Sequence, residues 1–72
     1  MEEKEIAKIL GQRIKQAREK SGLTQAGLAE RIGLSTNFIG MVERGERNTK
    51  FSNVYKIVMA MDSNLEKFFK GL

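Results

Sequence analysis

The spacing around residues 33–35 constrains this chain more than any other feature. Two segments of helical character, about Gln25–Ile32 and about Thr36–Arg44, are separated only by Gly33-Leu34-Ser35. Helices this short are marginal in water by themselves, so packing must hold them. Leu28, Ala29 and Ile32 form the inward stripe of the first segment, and Ile39 and Val42 that of the second. Thr24 and Ser35 stand where N-caps belong. Gly27, three residues after Thr24, removes the reciprocal half of a capping box. Gly33 can take the left-handed conformation that a tight bend needs. Leu34, apolar inside the turn, is expected to tuck between the two helices. Two short helices joined by a Gly-containing turn make a helix-turn-helix arrangement, with the second helix as the candidate recognition helix.

The rest of the chain reads as helix as well. A first helix is predicted over about Glu3–Lys20, with Ile6, Leu10, Ile14 and Ala17 inward and Ser21-Gly22 as its stop. A fourth, about Phe51–Met61, turns Phe51, Val54, Ile57, Val58 and Met61 inward, with Thr49 as a candidate cap. A fifth, within about residues 63–71, opens on Ser63-Asn64-Leu65-Glu66, which reads as a capping box. No segment alternates in the manner of a strand. The expected fold is an all-α, five-helix bundle with a central helix-turn-helix, one domain spanning residues 1–72.

Composition excludes several function classes. There is no Cys and no His among the 72 residues, so neither a disulfide, nor a thiolate or imidazole metal site, nor the commonest general base is available. No paired constellation of titratable groups suits catalysis, and an enzyme, a cofactor, a metal or a small-molecule ligand is not expected. The acidic start, Met1-Glu2-Glu3-Lys4-Glu5, does not resemble a leader, and no apolar run is long enough to span a membrane, so a cytoplasmic protein is expected. The formal net charge is +4, and residues 11–50 hold eight Lys and Arg against four Asp and Glu. The positive field is therefore concentrated in the central segment, which suits a polyanionic partner.

A helical wheel divides the recognition helix. Ile39 and Val42 define its core side, while Asn37, Gly40, Met41 and Arg44 share the opposite face and Thr36 projects from the N-terminal end. That face is short, nearly uncharged and carries hydrogen-bonding groups. Asn can pair with adenine, Thr with several bases, and methyl groups can touch thymine. Thr36, Asn37, Gly40 and Met41 are therefore the candidate base-reading residues, Gly40 through close approach of its backbone. Glu43 falls beside the apolar stripe and needs a partner, for which Arg18 is the candidate. Phe68 and Phe69 are adjacent on a helix too short to bury both against one core, so one is expected inward and the other in an exposed apolar patch.

Leu23-Thr24-Gln25, Leu28-Ala29, Gly33-Leu34-Ser35, Ile39 and Glu43-Arg44-Gly45 together resemble the helix-turn-helix domains of the Cro and lambdoid-repressor family, over about residues 10–65. The short chain, its end after the fifth helix and the run Glu43-Arg44-Gly45-Glu46-Arg47-Asn48 look most like the controller proteins of restriction–modification systems. The resemblance implies that Gln25 caps the second helix against a phosphate and can touch the first base, that Thr36 and Asn37 read base edges, and that Phe38 packs on the sugar-phosphate backbone. It implies that Arg47 and Asn48 contact phosphates, that Arg18 and Glu43 form a buried pair, and that the fifth helix is a symmetric dimer interface. Arg44 and Lys50 join the expected phosphate contacts, and Leu65, Phe68, Phe69 and Leu72 make up the expected interface. This chain departs from the family at Gly27, where an acidic residue is usual, at Thr49-Lys50, where Pro-Ser is common, and at Thr36, where many controllers carry a longer polar or basic residue.

The function expected on these grounds is that of a bacterial or phage-encoded, nucleoid-associated transcription regulator. It would bind double-stranded DNA as a homodimer on a pseudo-palindromic operator, with RNA polymerase a further expected partner and autoregulatory control of a restriction–modification operon its setting. The alternative is an antitoxin or protein-interaction module built on the same fold. An antitoxin would ordinarily add a toxin-binding tail outside the DNA-binding domain, which this sequence does not show.

Overall fold

Local capping chemistry sets most of the helix starts in the computed structural model, which describes residues 1–72. The elements are α1 (Glu3–Lys20), α2 (Gln25–Ile32), α3 (Thr36–Glu43), α4 (Phe51–Ala60) and α5 (Leu65–Phe69), with no strand. The Thr24 hydroxyl accepts from the Gly27 N–H at 2.9 Å, and the Ser35 hydroxyl accepts from the Phe38 N–H at 3.0 Å. Each bond satisfies one of the N–H groups that a helix start leaves open. Gly33 closes α2 at φ +70°, and the Leu34 N–H returns to the Ala29 carbonyl at 3.0 Å. Leu34 itself is only half-buried.

Three boundaries differ from the sequence expectation. α3 ends at Glu43, with Arg44 as its cap, and α4 ends at Ala60, with Met61 as its cap. At α5 the cap is Asn64, not Ser63: the Asn64 side chain accepts from the Lys67 N–H at 2.9 Å. Asn reaches that amide as well as Ser would reach the one before it, so the helix starts one residue later and the expected capping box with Glu66 does not form. Thr49 does not cap α4 either. Lys50 holds the cap position without a side-chain bond, and the Thr49 hydroxyl accepts from Asn53 Nδ2 at 3.1 Å.

The core is built from Ile14 of α1, Leu28 and Ala29 of α2, Ile39 and Val42 of α3, Val54, Ile57 and Val58 of α4, Met61, and Phe68 of α5. Leu10, Ala17, Leu23, Ile32, Phe38, Ala60 and Leu65 pack around it. Ile6 and Phe51 were expected inside, yet they are 48% and 62% exposed. Both lie on the correct side of their helices by periodicity. They sit, however, at the N-terminal ends of α1 and α4, where the bundle offers nothing to cover them.

α1 and α3 meet through glycines. A methyl group on Gly11 would fall 2.6 Å from the Glu43 carbonyl oxygen and closer still to that of Val42. A methyl on Gly45 would fall 2.7 Å from Lys8 Cγ. Backbone thus meets backbone at the C-terminal end of α3, which holds that end against the body of α1. No helix is long and apolar enough to cross a membrane.

Candidate nucleic-acid interface

The recognition surface begins with how α3 is seated. Ile39, Val42 and Glu43 are buried, which turns Thr36, Asn37 and Arg44 outward into exposed positions. Met41 is half-buried. Thr36 and Asn37 stand at the N-terminal tip, where the chain has just left the Ser35 cap.

Gly40 corrects the wheel. It is buried, because the Gln25 amide and the Arg44 guanidinium lie across it. It is a seat for two side chains, not an open floor for base edges. A methyl group there would stand 3.1 Å from an Arg44 guanidinium nitrogen and 3.6 Å from the Gln25 amide oxygen. Arg44 is exposed and flexible and can yield a few tenths of an ångström. Gly40→Ala is therefore expected to stabilise the fold by about 1 kcal/mol through helix propensity. That should appear as a thermal midpoint raised by about 4–8 °C, and a lowered midpoint would contradict this reading.

Beneath α2 and α3 lies a polar network. Arg18 Nε donates to Glu43 Oε2 at 2.6 Å and Arg18 Nη2 to Glu43 Oε1 at 3.1 Å, a forked pair. Arg18 Nη1 donates to the Leu23 carbonyl at 2.9 Å, and Gln25 Nε2 to Glu43 Oε1 at 3.0 Å. The hydrogen bond to Glu43 holds the Arg18 guanidinium above its ordinary pKa, against the opposing effect of burial. No buried side-chain nitrogen or oxygen is left without a partner. The network ties α1, the start of α2 and the end of α3 into one unit.

The loop after α3 carries the remaining cations. The Arg47 guanidinium lies 5.4 Å from the centre of the Phe38 ring, a contact that holds it beside α3. Phe38 is half-buried, so its ring is shared between the core edge and Arg47. Arg44 Nε donates to Glu46 Oε2 at 3.0 Å, both side chains being more than half exposed. This hydrogen bond raises the Arg44 pKa. Exposed pairs of this kind contribute little and open readily. Asn48 and Lys50 are exposed beside them.

The residues assigned to an interface on the fifth helix separate into two groups. Phe68 is 3% exposed and belongs to the core, so it is not available to a partner. Leu65 is half-buried against the same core. Phe69 and Leu72, in contrast, line an open apolar groove of about 370 Å³ together with Met1, Ile6, Ile9 and Phe51. The Phe69 ring meets Phe68 edge to face at 5.1 Å. The contribution of Ile6, Ile9 and Phe51 to this surface was not foreseen. Their apolar character was visible, but helical periodicity alone reads such residues as core.

The helix-turn-helix family model HTH_3 matches residues 14–68. The control protein C.SmaI of Serratia marcescens is 35% identical over 63 residues, covering 88% of this chain and 75% of that protein. An HTH-type transcriptional regulator of Archaeoglobus fulgidus is 35% identical over 57 residues, covering 79% of this chain and 80% of the relative. The restriction–modification controller protein C.AhdI of Aeromonas hydrophila has a crystal structure that superposes with a TM-score of 0.82 at 36% identity, over 88% of this chain and 96% of that one.

Proposed function

The chain belongs to the helix-turn-helix (HTH_3) family of DNA-binding transcription regulators, and from that premise we propose that it acts as a homodimer on a pseudo-palindromic operator, in autoregulatory control of a restriction–modification operon. The observation that carries the DNA-reading part is the uncovered tip of α3: Thr36 and Asn37 are exposed on a helix whose other side is locked into the core. In this reading they meet base edges in the major groove with Met41 beside them. Gln25 stands where it can meet a phosphate or the first base of the half-site, and Phe38, Arg44, Arg47, Asn48 and Lys50 face the sugar-phosphate backbone. The restriction–modification setting rests on the likeness to C.SmaI and C.AhdI, and RNA polymerase is a further proposed partner of the bound dimer.

The single α3 of each copy supports the dimer. One chain carries one such helix, whereas successive major-groove faces on one side of DNA lie roughly 34 Å apart. One copy therefore reads a single half-site, and a two-fold pair reads two. The apolar groove between α1, the start of α4 and the end of α5 is the surface proposed to close that pair, with the whole chain as one domain. Phe51→Glu tests this: the residue is 62% exposed and an acid suits a helix start, so the fold should persist while the dimer is lost. Light scattering is expected to report a monomer. A dimer of unchanged affinity would place the interface elsewhere.

Selection of bound duplexes from a random pool tests the function as a whole. The expected result is an inverted repeat with half-sites about one helical turn apart. Asn37→Ala is expected to cost about 1–3 kcal/mol at the cognate site and to relax preference at one base pair per half-site. Recovery of no common sequence, with binding equal across the pool, would rule out direct readout.

A further inference from the structure

The Glu43 carboxylate does more than pair with Arg18. We infer that it locks the Gln25 carboxamide with its oxygen outward and so makes Gln25 a reader of adenine, an inference that rests on the DNA-binding function proposed above. Glu43 only accepts. Its Oε2 takes Arg18 Nε, and its Oε1 takes both Arg18 Nη2 and Gln25 Nε2, at 3.1 and 3.0 Å. A flipped Gln25 amide would set its oxygen against a carboxylate oxygen with no hydrogen between them. Only the NH₂ edge fits inward.

The consequence falls on the outer face of α3. The Gln25 amide lies across Gly40, on the same face as Arg44 and the exposed Asn37. One N–H is spent on Glu43. The oxygen and the second N–H remain for a ligand, an acceptor beside a donor. That pair matches the N6 donor and N7 acceptor that adenine shows in the major groove, and it mismatches the two acceptors of guanine. Gln25 would thus recognise a base directly, while Glu43, out of reach of the DNA, acts as its positioning residue.

The double change Arg18→Met, Glu43→Leu removes the lock without stranding a buried charge. Nothing then distinguishes the two edges of the Gln25 carboxamide, which can turn either its oxygen or its NH₂ outward. The test is duplex selection with three chains: wild type, Gln25→Ala and the double variant. Gln25→Ala identifies the base position by abolishing preference there and nowhere else. At that position the wild type is expected to favour adenine over guanine by about tenfold, and the double variant to lose that discrimination while preferences at other positions persist. A purely structural Glu43 would weaken binding without changing rank.

Retention of the adenine preference by the double variant, or a Gln25→Ala pool identical to wild type, overturns the inference and leaves DNA binding standing. A wild-type chain that retains no duplex overturns both. Should the double variant be unfolded by circular dichroism, hydrogen exchange of the wild-type carboxamides decides. The Gln25 protons are expected to exchange about tenfold more slowly than those of Gln12 and Gln16, which are exposed on α1. Equal rates overturn the lock.

Discussion

Replacing Gly11 by Ala is expected to cost at least about 3 kcal/mol, at the upper end of what overpacking does. Helix propensity alone argues the other way, since Ala in mid-helix is favoured over Gly by about 1 kcal/mol. The close contact decides the sign. The added methyl would sit 2.6 Å from the Glu43 carbonyl oxygen and nearer still to that of Val42, and both are backbone atoms of the last turn of α3. A flexible side chain could swing aside, whereas a helical carbonyl moves only with its helix. α1 and α3 would have to separate, opening the packing around Ile14, Ile39 and Val42. A domain of this size holds only about 4–11 kcal/mol in total. The thermal midpoint should fall by about 12–24 °C. Gly40→Ala is the matched control, with the same chemistry where the added methyl meets only the ends of flexible side chains, and with the opposite expected sign. A Gly11→Ala chain as stable as the wild type would mean that the two helices do not meet in this way.

Arg18→Met is the second large effect. It removes the cation and leaves Glu43, 5% exposed, with only the Gln25 amide as a partner. Losing one member of a buried pair costs about 3–5 kcal/mol, because the remaining charge is stranded in a poor solvent. The double variant Arg18→Met, Glu43→Leu should recover most of that loss, since apolar residues of similar volume can replace a buried pair at little net cost. Chemical denaturation of the two singles and the double would measure the coupling directly. A double variant no better than the single would show that the pair contributes through its geometry and not through compensation of charge. In the double variant the Gln25 amide also loses its anchor, so recovered stability should not restore base preference.

The helix-turn-helix was legible because its signals are local. Thr24, Gly33 and Ser35 act on backbone groups within a few residues of themselves, and the capping bonds they make are the ones their side chains can reach in any context. The exposed tip, Thr36 and Asn37, followed from the same periodicity that placed Ile39 and Val42 inside. Where two local signals competed, the outcome was less legible. Ser63 and Asn64 could each start α5, and the reach of the Asn side chain settled it one residue late.

The order and character of the helices, the inward stripes of their middles and the outward tip of α3 follow from the residues alone, since these depend on chemistry within one or two turns. What covers what is set by the assembled fold. It exposed Ile6 and Phe51, which periodicity had placed inside, and kept Phe68 in the core while leaving Phe69 at the groove. It buried Gly40 under Gln25 and Arg44, and pressed Gly11 against the end of α3. Each of these depends on the position of a residue distant in sequence. Periodicity tells a side chain which way to point along its own helix, but whether another helix is there to meet it is set by the packing of the whole chain.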